Sequence, residues 1–131
     1  MSHRKKILKK WYVAIWLKEG NYLDLWSINH TLLGGVLSCI FLLFNSTLNL
    51  ALIVSILFMI GWEFYEITKG VHETFKNRIV DVVMGIAGFF LIRYLSNIYQ
   101  LKKIFFIVVF LFLLLEAWGW YACRKKGIKF L

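Results

Sequence analysis

The sequence predicts an all-α integral membrane protein, with four transmembrane helices preceded by an amphipathic interfacial N-terminal helix. Three observations predict it. First, 60% of the 131 residues are hydrophobic, mean hydropathy is +0.69 and proline is absent. A soluble domain of this length cannot bury that much apolar side chain, so lipid has to be part of the solvent. Second, the apolar residues gather into four runs of roughly 20 residues, the length that crosses a hydrocarbon core of about 30 Å. Third, the sixteen Lys and Arg residues outnumber the seven Asp and Glu, for a net charge of +9, and they flank the apolar runs. Basic residues so placed suit anionic lipid headgroups, and they argue for membrane lipids as partners and against nucleic acid.

Residues 1–22 form the first unit. Arg4, Lys5, Lys6, Lys9, Lys10 and Lys18 alternate with Ile7, Leu8, Trp11, Tyr12, Ile15 and Trp16. Apolar positions at i, i+4 and i+8 give one aromatic face and one basic face, which suits a helix lying along a membrane surface. A signal peptide is the other reading of such a start. Here the apolar stretch 11–17 is short, and Lys18-Glu19 follows it with no small-residue cleavage site.

Residues 23–131 form the second unit. Its spans cover about 25–44, 48–67, 79–97 and 104–122, lengths that each suit one bilayer crossing. Asn45-Ser46-Thr47 makes an uncharged turn, Lys69 to Arg78 a polar loop, and Lys102-Lys103 a basic break before the last span. Cys39 and Cys123 have no C-x-x-C spacing and read as free thiols. Placing both termini in the cytoplasm puts thirteen of the sixteen basic residues there and leaves only Arg93, Lys102 and Lys103 outside.

The polar residues are the unusual part. Four of the seven acidic residues, Glu63, Glu66, Glu73 and Asp81, lie between Gly61 and Gly88, where one apolar run ends and the next begins. An ionisable group inside a span costs a few kcal/mol, so each marks a candidate functional site. The alternating directions of four spans bring His30, Glu63, Glu66, Asp81 and Glu116 to one depth, near the cytoplasmic boundary. Glu63 and Glu66 share a helix face at i, i+3. Asp81, Gly85 and Gly88 share another, and His30 and Gly34 a third; glycines on such faces let helices approach closely. Carboxylates held together need an offset from His30, Arg78 or a bound cation, or one of them carries a proton at neutral pH. If a divalent cation is the offset, His30, Glu63, Glu66 and Asp81 are its expected ligands, and with Arg78 and Glu116 they make up the expected polar pocket. Against this stand plainer readings: headgroup-level carboxylates in water, pairing with Lys69 or Arg78, and Glu116 as an interhelical hydrogen-bond partner. The Trp and Tyr residues read as an interfacial belt. No phosphate-binding loop, zinc spacing or nucleophile elbow is present.

His30-x-x-x-Gly34, Trp62-Glu63-x-x-Glu66, Asn77-Arg78 and Asp81-x-x-x-Gly85-x-x-Gly88 together resemble the VanZ-like proteins and related small families of the YjdF type. The resemblance covers roughly residues 26–95. Glu66 stands where VanZ-like proteins often have Gln, and Gly85 where they often have Asn. It implies a polytopic bacterial plasma-membrane protein with a core of about four or five helices, in a group associated with low-level glycopeptide resistance.

Three functions compete at this level. One is a pocket for a lipid or polyprenyl headgroup, serving transport or chemistry, with a divalent cation bridging the phosphate and His30 as ligand or acid–base group. The second is a non-enzymatic accessory, immunity or resistance subunit, whose polar residues fix helix packing or contacts with a second copy or another membrane protein. The third is an ion path, which ranks last because the outer half offers little beyond Ser38, Ser55 and Asn97. The orientation is testable: in a background lacking the native cysteines, Ser46→Cys should react with an impermeant thiol reagent from outside the cell and Phe75→Cys only after permeabilisation. Labelling of position 75 in intact cells would reverse the topology.

Overall fold

The computed structural model describes residues 25–68 and 74–125. The N-terminal segment expected to lie on the membrane, and loop residues 69–73, fall outside them. Four helices carry the chain: α1 (Leu25–Leu43), α2 (Leu48–Thr68), α3 (Phe75–Ile98) and α4 (Leu101–Lys125). All four are long and apolar enough to cross a membrane, which makes this a multi-pass membrane protein. α3 and α4 begin three or four residues before the spans expected from hydropathy, at Phe75 and Leu101. The early start of α3 has a local cause. Thr74 adopts an extended conformation and its hydroxyl accepts a hydrogen bond from the Asn77 amide at 3.2 Å, an N-cap that begins the helix upstream of the apolar run.

The turn between α1 and α2 is specified by Asn45. Its φ of 52° places it in the left-handed region, where Asn is among the few tolerated side chains. The Ser46 amide then reaches the Phe41 carbonyl at 2.9 Å and the Asn45 amide reaches Leu42 at 3.1 Å. That pair of bonds is a Schellman closure, and it satisfies carbonyls that the helix end would leave open.

The bundle is inverted relative to a soluble protein. α2 buries Ala51, Ser55, Met59, Glu63 and Glu66, a stripe spaced by four, four, four and three residues. α3 buries Asn77, Asp81, Gly85, Gly88, Phe89 and Ile92. Small and polar side chains face inward, while Phe58, Phe64, Phe106 and Phe110 face out. In lipid this arrangement costs nothing, because the tails are as apolar as the side chains they replace.

α1 packs most extensively against α3, and the two run parallel with backbones touching. A Cβ on Gly34 would lie 1.8 Å from the Gly85 carbonyl oxygen, and one on Gly88 would lie 1.9 Å from that of Thr31. Any other residue at either position forces the helices apart. At the far end, Cys39, Ile92, Ile104 and Val108 close the bundle with an apolar cluster joining α1, α3 and α4. Gly34→Ala and Gly88→Ala should therefore each cost about 1–3 kcal/mol as overpacking. Gly61 has nothing within 4 Å of its missing Cβ, so Gly61→Ala should be neutral or stabilising by up to about 1 kcal/mol. Thermal unfolding in one detergent checks all three, and equal effects at 34 and 61 would refute the seam.

Candidate metal centre

At one end of the bundle the starts of α1 and α3 meet the end of α2. His30 lies one turn after Trp26, and its Nδ1 is 2.9 Å from the Trp26 carbonyl oxygen. A carbonyl only accepts, so Nδ1 carries the proton and donates, which leaves the Nε2 lone pair directed into the bundle in the neutral ring. Nε2 stands 3.0 Å from Glu63 Oε1. The two form an ion pair when the imidazole is protonated; in the neutral ring neither atom has a hydrogen-bond partner. Both side chains are more than nine-tenths buried, His30 with 4% and Glu63 with 6% of its surface exposed.

Asp81 is fully buried. Its Oδ1 accepts from Ser27 Oγ at 2.5 Å and its Oδ2 from Asn77 Nδ2 at 3.1 Å. These two donors fix the carboxylate plane. One ligand-type atom each from His30, Glu63 and Asp81 fall within 4.8 Å of one another. Arg78 reaches the group from the next turn of α3: its NH1 donates to the Glu63 carbonyl oxygen at 3.0 Å and lies 3.4 Å from Oε2.

This spacing fits two arrangements, a protonated His30 paired with Glu63 or two ligands of one ion. Two ligands bound to one ion at about 2.0–2.2 Å stand roughly 3 Å apart, with lone pairs aimed at the ion and not at each other. With the imidazole neutral, two carboxylates and one guanidinium leave one negative charge for a cation to balance; with it protonated, His30 and Arg78 balance the two carboxylates without one. Among the described residues, this is the only such group of three. An imidazole in the set favours a first-row transition ion over Mg²⁺ or Ca²⁺, which prefer all-oxygen shells. Three protein ligands also leave open coordination positions, as catalytic sites do and closed structural sites do not.

Glu66 and Glu116 stand apart from this group. Glu66 Oε1 accepts from Trp62 Nε1 at 2.8 Å. Glu116 Oε1 accepts from Trp120 Nε1 at 2.7 Å, and its Oε2 accepts from Asn29 Nδ2. With Trp26, Trp62, Tyr65 and Trp120 the two carboxylates line a separate cavity of about 210 Å³. Glu66, expected among the cation's ligands, is thus turned by its own tryptophan toward α4. Gly34, Gly85 and Gly88 lie on the α1–α3 seam described above.

Sequence reasoning missed Ser27 and Asn29 altogether. The signal was available: Ser27, His30, Thr31 and Gly34 recur at helical spacing, so a polar face extends one turn before the histidine. Trp62 and Trp120, read as belt residues, are donors to carboxylates one turn away. No protein-family model, no curated protein and no solved structure matches this chain.

The role of Arg78 is testable through the charge it offsets. With chelator present, Arg78→Met should destabilise the protein by about 3–5 kcal/mol, because it leaves Glu63 buried beside an uncompensated carboxylate. Adding Glu63→Gln to that variant should recover much of the loss in a thermal-unfolding assay. Strict additivity of the two changes would show that the pair does not interact.

Proposed function

We propose that this protein is a small bacterial plasma-membrane protein that holds a divalent transition-metal ion on His30, Glu63 and Asp81 and uses it to bind the phosphate of a lipid or polyprenyl headgroup. The observation that carries the reading is the contact between His30 Nε2 and Glu63 Oε1. Two buried atoms 3.0 Å apart, neither in a hydrogen bond, beside the second carboxylate of Asp81, have the spacing of ligands to one ion. The metal's open positions accept hard anionic oxygen, and Arg78 adds a guanidinium suited to phosphate. His30 serves as a ligand, so a proton-transfer role does not fall to it while metal is bound.

Orientation belongs to the same proposal. Thirteen basic residues on one side put the centre at the cytoplasmic leaflet, with both termini inside. The basic amphipathic segment 1–22 would then lie on the anionic surface beside it. The VanZ-like resemblance rests on His30, Glu63 and Asp81 and agrees with a bacterial membrane setting.

The second reading is an accessory or resistance subunit in which the same residues hold helices together. It is favoured by the Arg78–Glu63 pair, which offsets one carboxylate without any ion. Metal analysis separates the two. The purified protein should carry about one zinc, manganese or iron per chain. Glu63→Gln and Asp81→Asn should remove it, and Glu66→Gln should not. Metal-free wild-type protein that takes up none of these ions on dialysis would leave the packing role.

A further inference from the structure

Glu66 and Glu116 belong to a second polar site, in the gap between α2 and α4. Among the described residues these two helices each pack on α1 and α3 without approaching one another. Aromatic rings span the gap instead: Trp62 and Tyr65 from α2, Trp120 from α4 and Trp26 from α1 line the cavity of about 210 Å³. The Trp62 and Tyr65 rings stand with centroids 5.6 Å apart and planes tilted by 39°, a corner in its wall. Both carboxylates line the same space. An indole in an interfacial belt turns its N–H toward water and headgroups. Here Trp62 and Trp120 donate theirs to Glu66 and Glu116, one turn away on the same helix. The second hydrogen bond to Glu116 comes from the Asn29 amide, whose own Oδ1 is buried without a partner. Both donors to Glu116 are neutral, and among the described residues no basic side chain pairs with it. An ionised carboxylate so placed in a helix apolar enough to cross a membrane calls for a cation.

We infer that this cavity is a binding site for a quaternary ammonium group, the cationic head of a choline-like molecule, held by the aromatic rings and by the charge of Glu116 and Glu66. The rings and carboxylates together select that chemistry. A metal ion would gain nothing from four rings, and the described residues place no third carboxylate, imidazole or thiol with these two. An ammonium bearing N–H groups would have to share Glu116 oxygens that Trp120 and Asn29 already hold. A trimethylammonium group makes no such demand. Its methyl groups pack on the rings, while its charge is attracted by their negative faces and by the carboxylates. The size agrees, because about 210 Å³ falls below the roughly 300–1,000 Å³ of pockets for drug-sized ligands and suits a small head. The site shares no residue with His30, Glu63 and Asp81, so it stands whether or not those three hold a metal. A free choline-like solute and the headgroup of a phosphatidylcholine carry the same group.

Calorimetric titration of the full chain in an uncharged detergent tests it with three probes. Choline carries the group, 3,3-dimethylbutanol has its shape without the charge, and ethanolamine has the charge with N–H groups. Choline should bind at least about tenfold more tightly than either of the others. Glu116→Gln should weaken choline by about tenfold or more, through loss of the charge. Trp62→Leu repeats the test from α2 if that variant fails to fold, and it should weaken choline to a similar extent through loss of a ring. In nanodiscs of phosphatidylglycerol the choline signal should persist. Its loss in nanodiscs of phosphatidylcholine would identify the lipid headgroup as the occupant, and its persistence there would identify the solute; either outcome supports the site. Absence of choline binding in detergent, equal binding of the uncharged alcohol, or ethanolamine binding as tightly as choline would overturn it. So would unchanged choline affinity in folded Glu116→Gln.

Discussion

The contact of backbone on backbone between Gly34 and Gly85, and between Gly88 and Thr31, is the constraint on which the site depends. Helices with ordinary side chains at the crossing keep their axes about 8–10 Å apart. At that distance Ser27 would not reach Asp81, and the imidazole of His30 would sit away from the start of α3. Removing one Cβ from each helix, at Gly34 and at Gly88, brings the first turns of both helices together. The polar residues on those turns then have only each other to meet.

Membrane solvent changes what such a core is made of. In water, burial of apolar surface would drive assembly, and a stripe of Ser55, Met59, Glu63 and Glu66 would be a poor face for a helix to bury. In lipid, association comes from close packing and from polar groups that find partners inside the bundle and nowhere else. Ser27 and Asn77 on Asp81, Arg78 on Glu63, and Trp120 and Asn29 on Glu116 are partnerships of that kind. His30 Nε2 and Glu63 Oε1 depart from the pattern, being buried, adjacent and outside any hydrogen bond. A structure that satisfies its other carboxylates closely gives that departure weight, and it is why the proposed function begins there.

The four helices were legible because hydropathy over 20 residues is a strong signal and needs no knowledge of neighbours. The level at which His30, Glu63 and Asp81 meet was legible too, since alternation of spans folds distant residues to one depth. Which carboxylate joins which neighbour was not. Glu63 and Glu66 share a helix face by spacing, yet a rotation of about 60° between i and i+3 is enough to send one toward His30 and the other toward α4. The choice is made by Trp62, whose indole holds Glu66, and by Arg78, whose side chain holds Glu63. Such pairings depend on rotamers and on the rotation of each helix about its axis, which one-dimensional spacing does not carry.

X-ray absorption at the metal edge tests the central claim most directly, because it reads the ligand shell itself. On protein loaded with zinc or manganese, the account predicts one imidazole nitrogen and carboxylate oxygens at about 2.0–2.2 Å. The imidazole scattering should vanish in His30→Gln. A shell of oxygen alone, unchanged by loss of His30, would contradict a centre built on His30, Glu63 and Asp81.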